Sequence, residues 1–115
     1  MKSGSYIPDR GDIVWLNFTP QAGHEQKGKR PALVISPKIY NEKTSLCICV
    51  PITSKVKGYP FEVSLPKKLP IEGVILSDQV KNLDFMARDV TFICKLPNSV
   101  VQKVQKNILA LVGDF

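Results

Sequence analysis

Apolar residues in most of this chain come in short runs rather than at helical spacing. The segments IVWLNF (13–18), ALVIS (32–36), SLCICVP (45–51), FEVSL (61–65) and GVILSDQV (73–80) are rich in β-branched or aromatic residues. Each is bounded by Gly, Pro, Asn or Lys-rich turns, which is the signature of strands. VTFIC (90–94) is a further candidate. In FEVSL, Phe61, Val63 and Leu65 alternate with Glu62 and Ser64, so that strand has one wet face. Strands this short and this numerous must curl to bury a shared face, because a flat sheet would leave apolar surface and open edges. A small, strongly bent barrel is the expected solution.

Two segments follow a helical pattern instead. Ser36 before Pro37 reads as an N-cap with proline at the first helical position, so PKIYNEK forms a short helix between strands. After Pro97, Asn98 or Ser99 can cap a longer helix. Its apolar residues Val101, Val104, Ile108 and Leu111 fall at three-and-four spacing, Lys103 and Lys106 lie off that stripe, and Gly113 is the stop. This helix is expected to lay one face on the barrel. The fold class is therefore mainly β with a C-terminal helix. No internal repeat or low-complexity tract occurs; KGYP and PKKLP read as exposed turns and KSGS as a frayed end.

At 115 residues the chain has room for one domain, spanning 1–115. Sixteen Lys and Arg against ten Asp and Glu give a net charge of +6, which favours polyanionic partners: RNA, DNA or an acidic protein segment. No apolar stretch is long enough to span a bilayer, and the first residues lack the apolar centre of a signal peptide. A cytoplasmic protein without a membrane partner is expected. Three cysteines cannot all pair, and Cys47 and Cys49 alternate with Leu46, Ile48 and Val50, so they read as reduced, buried filler.

Several reaction classes lack their parts. His24 is the only histidine, which removes a two-histidine acid–base pair and a histidine-rich zinc site. The cysteines do not form a C-x-x-C pair, so neither a metal nor a cofactor is expected. Phosphate-loop, dinucleotide and elbow-serine motifs are missing. What remains is the polar segment AGHEQKGKRPALVIS, where Gly23 and Gly28 punctuate His24, Glu25, Gln26, Lys27, Lys29 and Arg30. It reads either as a phosphate-holding loop or as a solvated hairpin loop whose Glu25 pairs with a cation. A second polar spot follows the third strand: Thr53 and Ser54, then Lys55 and Lys57. Alone it is an ordinary strand end. A site exists only if the two segments converge.

These residues together resemble the MazF/PemK endoribonuclease toxins of bacterial toxin–antitoxin pairs. The resemblance runs from about Tyr6 to Val112 and rests on YIPDRGDIVWLNFTP, GHEQKGKRPALVISP, LCICVPITSKVKGYPFEV and GVILSDQVKNLDFMAR. The ordered pair G-x-E-Q-x-G-x-R-P and V-P-x-T-[ST] is its specific part. The resemblance implies an SH3-like barrel, a homodimer, sequence-specific, metal-independent cleavage of single-stranded RNA at short sequences, and inhibition by the acidic C-terminal tail of a cognate antitoxin. It carries Arg30, Thr53 and Glu25 over as catalytic residues. Gln79 and Lys81 of the D-Q-V-K stretch at 78–81, with Gln26, Lys29, Ser54, Lys55 and Lys57, are implied RNA contacts. His24 is expected to be a substrate contact or a bystander.

The chemistry suits these residue types. Without a metal, the RNA 2′-hydroxyl attacks its own phosphate, and the protein must move two protons and stabilise charge on the phosphoryl oxygens. Arg30 is permanently charged and donates two parallel hydrogen bonds; Thr53 offers a hydroxyl. Glu25 either accepts the 2′ proton or fixes Arg30. The rival reading is a non-catalytic basic barrel that grips nucleic acid or an acidic peptide.

Overall fold

A computed structural model describes residues 5–18 and 28–113. The elements are β1 (Asp12–Asn17), β2 (Lys29–Val34), α1 (Lys38–Thr44), β3 (Leu46–Thr53), β4 (Glu62–Ser64), β5 (Val74–Leu76), β6 (Lys81–Asp84), β7 (Thr91–Lys95) and α2 (Asn98–Val112). The strands form one antiparallel sheet in the order β4-β5-β3-β2-β1-β7, with β6 also paired to β3. The fold is thus mainly β with a C-terminal helix, as the pattern predicts. No ladder joins β4 to β7 among the described residues, so the expected barrel is an open sheet.

The long strand β3 does most of the shaping. Its residues 46–49 pair with β6 and its last two, Ile52 and Thr53, pair with β5, while β2 lies on the opposite edge. Both faces of the sheet are buried. Ile13, Leu33, Val50 and Ile52 pack on one side with Ile75, Leu96, Val101 and Val104. Val14, Leu16, Ala32, Val34, Cys47 and Cys49 pack on the other with Phe18 and Phe85. Burial on both faces is why β1, β2 and β3 read as nearly unbroken apolar runs instead of alternating.

Three local expectations are corrected. The segment 73–80 is not one strand: Val74–Leu76 ends in a turn, and a separate strand, Lys81–Asp84, follows. KNLD has a single apolar residue and is held by the β3 ladder rather than by its own pattern. Second, Ser36 does not cap α1. Pro37 occupies the cap position, and the carboxylate of Asp9 accepts the Lys38 N–H at 2.9 Å. Ser36 is engaged elsewhere, donating to Asn41 Oδ1 at 2.5 Å and accepting from the Ile48 N–H at 2.8 Å. Third, Pro97 precedes α2 with no side-chain cap, so neither Asn98 nor Ser99 serves. Along α2, Val101 and Val104 are buried, but Leu109, Leu111 and Val112 are 62%, 47% and 73% exposed. The helix lies on the sheet as far as Ile108, and only its last turn is free of it.

Asn41 ties the amino-terminal segment to this frame. It is fully buried, and its Nδ2 donates to Pro8 O at 2.8 Å and Ser36 O at 3.1 Å. Replacing it by leucine strands those carbonyls and the Ser36 hydroxyl, each a buried polar group that is costly to leave unpaired. Asn41→Leu should lower the unfolding free energy by about 2 kcal/mol or more, read from urea denaturation. A change under about 0.5 kcal/mol would show that water replaces these bonds.

Candidate functional site

The β2–β3 pairing determines where the two predicted catalytic side chains of the described chain sit. Ala32 faces Pro51, Leu33 faces Val50, and Val34 faces Cys49. Just beyond, the Ile35 N–H donates to Ile48 O at 2.8 Å, so alternate positions 35, 33 and 31 turn their backbone toward β3. Position 31 is proline. It has no N–H, the ladder loses its donor there, and pairing stops at Ala32. The same register carried two residues on sets Arg30 across from Thr53. Pro51 turns its own nitrogen to the other edge, in the gap between the β6 pairs, which end at Cys49, and the β5 pairs, which begin at Ile52.

Arg30 is held from the opposite side. It pairs with Leu16 on β1, and the next step of that ladder is the Phe18 N–H donating to Gly28 O at 3.0 Å. Its side chain shares the face of Leu16 and Ala32, which is also the face of Cys49 and Thr53. Among the described residues, Arg30 Nε is buried with no hydrogen-bond partner. Buried donors are nearly always paired, so an unpaired one in a guanidinium marks a group with bonding capacity in hand.

Thr53 ends β3 half-buried. Its Oγ1 accepts the Lys55 N–H at 3.1 Å, which orients the hydroxyl and leaves its hydrogen available to donate. Its backbone is braced by Gly73. A side chain on Gly73, whose φ is +129°, would place Cβ 2.2 Å from Thr53 O and 3.1 Å from Ser54 Cα. Only glycine allows that approach.

Cations lie farther along the same sheet face and in the loop after β3. Lys81 lies opposite Cys49 in the β3–β6 ladder. Lys81 and Arg88 both act on the Cys49 thiol, yet its hydrogen bond with Cys47 and its burial still push its pKa up. The same hydrogen bond pulls the Cys47 thiol down, and both cysteines are free and buried. Lys55 and Lys57 project from the exposed loop after β3, where the Glu62 carboxylate accepts the Lys57 and Gly58 N–H groups at 3.0 and 2.8 Å. The Tyr59 hydroxyl donates to Asp78 at 3.0 Å, fastening that loop to the turn bearing Gln79. Ser54, Gln79 and Lys81 are exposed.

The structure therefore brings Arg30, Thr53 and Lys81 to one face, with the loop of Ser54, Lys55 and Lys57 fastened beside the Gln79 turn. It does not bring Lys29 there, because strand alternation turns that side chain to the face opposite Arg30. Glu25, Gln26 and His24 lie outside the described residues. Sequence reading did not single out Arg88, Tyr59 and Gly73. Arg88 Nη1 donates to Asn17 O at 3.2 Å and sits in a segment with no distinctive pattern, whereas a glycine directly before a strand was a signal that could have been used. Among the described residues no three His, Cys, Asp or Glu side chains group as metal ligands.

Gly73→Ala forces the Thr53–Ser54 peptide to move and places alanine in a backbone region that disfavours it. We expect a loss of about 1–3 kcal/mol in unfolding free energy, measured by denaturant titration. Unchanged stability would mean that the β3–β5 contact yields without cost.

Comparison with known proteins identifies the family. The family model described as the PemK-like, MazF-like toxin of type II toxin–antitoxin systems matches residues 9–112. The chain is 45% identical over 108 residues to the endoribonuclease toxin MazF of Escherichia coli K12, covering 94% of this chain and 96% of that protein. It is 34% identical over 100 residues to the endoribonuclease PemK of Escherichia coli, covering 84% and 75%. A crystal structure of MazF from Deinococcus radiodurans superposes with a TM-score of 0.89 at 49% identity, covering 96% of this chain and all of that one. A structure of MazE-MazF from the same organism gives 0.86 at 42%, with the same coverage. With the match spanning the strands that carry Arg30, Thr53 and Lys81, this chain belongs to the PemK-like, MazF-like toxin family of type II toxin–antitoxin systems.

Proposed function

We propose that this endoribonuclease toxin cuts single-stranded RNA without a metal, using the 2′-hydroxyl of the RNA as nucleophile. The observation that carries the reading is the buried Nε of Arg30, unpaired among the described residues, set across from the oriented hydroxyl of Thr53 by the β2–β3 register. A phosphoryl group between β2 and β3 supplies the acceptor both lack. As the 2′ oxygen attacks phosphorus and the bond to the 5′ oxygen breaks, Arg30 and Thr53 donate to the non-bridging oxygens where charge accumulates. Glu25, between β1 and β2 in sequence, takes the 2′ proton, and the departing 5′ oxygen takes a proton from water. The products are a 2′,3′-cyclic phosphate and a 5′-hydroxyl end. A merely binding barrel accounts for the charge but gives no reason for a buried, unsatisfied guanidinium beside a pre-oriented hydroxyl.

Substrate is held by Gln26, Ser54, Lys55, Lys57, Gln79 and Lys81, of which Lys55, Lys57 and Lys81 are exposed cations on the described surface. An acidic C-terminal tail of a cognate antitoxin suits the same cations, so antitoxin and RNA compete. The exposed Leu109, Leu111 and Val112 of α2, beside a cavity of about 360 Å³ lined by Ile35, Gln105, Ile108 and Leu109, support a homodimer formed through that end of the helix. No described helix is long and apolar enough to cross a membrane; RNA as substrate places the action in the cytoplasm.

The mechanism is tested with an RNA carrying one 2′-deoxy nucleotide immediately 5′ of the cut. It should bind within about threefold of the all-ribose strand, since the phosphate contacts survive, and resist cleavage. Cleavage of the all-ribose strand should persist in chelator. Cutting of the deoxy substrate at an undiminished rate, or loss of activity in chelator with rescue by a divalent ion, would require water as the attacking group and overturn the roles given to Arg30, Thr53 and Glu25.

A further inference from the structure

The face that carries Thr53 continues sideways into a second concavity. Thr53 pairs with Val74, and Val74 pairs with Ser64, so these three side chains lie in a row across β3, β5 and β4. At the usual strand spacing, Ser64 is about 10 Å from Thr53. Val74 and Ser64 line a cavity of about 570 Å³ that opens between the loop bearing Val56 and the turn joining β4 to β5. Gly73, which backs the Thr53 peptide, lines it as well. Its walls include Val56 and Leu65, and Lys67 and Glu72 contribute an exposed cation and an exposed carboxylate. The volume lies within the range of small-molecule sites, where apolar walls with a few polar groups give selective binding.

We propose that this cavity is a nucleobase subsite, holding the base of a nucleotide next to the scissile phosphate and selecting it by an amino group. The inference rests on the reading of Arg30 and Thr53 as the pair that grips that phosphate. Continuity identifies the occupant: a strand whose phosphate lies at Thr53 meets this cavity first along the sheet. The apolar walls take the faces of a base. Glu72, acceptor only when ionised, pairs with an exocyclic amine, as carboxylates do with cytosine. Ser64 accepts or donates, and Lys67 balances the carboxylate and meets the next phosphate. The exposed Val56, at 62%, then has a partner, as do the polar residues of a turn that otherwise only connects two three-residue strands.

The test is the cleavage profile on a fully randomised RNA, sequenced at the cut ends, for the wild-type chain, Ser64→Phe and Glu72→Ala. Ser64→Phe fills the cavity and Glu72→Ala removes its acceptor. Both should lose about tenfold of base discrimination at one and the same position beside the cut, with the preference at other positions retained. Glu72→Ala should lose it specifically against bases without an amino group. Profiles identical to wild type, or a weakening spread evenly over all positions, would overturn the subsite. Should Ser64→Phe lower the thermal midpoint, Glu72→Ala at its exposed position decides alone. Thr53→Ala run in parallel separates the two levels. If it is inactive while the other variants keep the wild-type profile, only the subsite falls. If it cuts as fast as wild type, the catalytic pair falls and the subsite with it.

Discussion

The pairing of β2 with β3, and its interruption at Pro31, is the constraint on which the rest of the site depends. Antiparallel register places Arg30 and Thr53 opposite each other, and the missing N–H of Pro31 keeps the ladder from closing over them. A residue with a donor at that position would extend the pairing by one more bond and draw the two strands together at the place where a phosphoryl group must enter. Pro51 matches it from the other side: its nitrogen points to the edge between β6 and β5, where no partner strand needs it. Two prolines in mid-sheet, usually an argument against strands, act differently here: Pro31 withholds a donor that would extend the β2–β3 ladder, and Pro51 sits where no partner strand needs one.

Holding the site open has a cost that the surrounding structure meets. A buried guanidinium nitrogen with no partner among the described residues is worth about 1–3 kcal/mol of destabilisation, and Gly73 gives up a side chain so that β5 can approach Thr53. These losses are offset by a sheet buried on both faces and by the ties of Asn41 and Asp9 to the first segment. An apolar residue at position 30 would relieve the strain and remove the chemistry, so stability and function are opposed at this residue.

Most strands were legible because β-branched runs bounded by Gly and Pro need no tertiary knowledge to recognise. The strand at 81–84 was not, since KNLD owes its conformation to the backbone of β3 rather than to its own side chains. The cap of α1 escaped for a similar reason: the carboxylate that serves it, Asp9, is 29 residues away in sequence. At the site, Arg30 and Thr53 were readable from their motifs, and their convergence follows from register. The exclusion of Lys29 from the face of Arg30 is a matter of strand parity, which a list of nearby cations does not contain. The bracing by Gly73 and the Tyr59–Asp78 tie join segments that are distant along the chain and become visible only when the strands are assembled.

The central claim is that Arg30 and Thr53 act together on one phosphate across the β2–β3 opening. A double-mutant cycle on the single-turnover cleavage rate, with Arg30→Ala, Thr53→Ala and the combined variant each verified as folded, tests it most directly. Each single change should slow cleavage by on the order of a hundred- to a thousand-fold, and the double variant should be little slower than the worse single, because residues that work as a unit are strongly non-additive. Losses that multiply in full would mean that the two side chains act independently, and a single variant that cuts at the wild-type rate would remove its residue from the site.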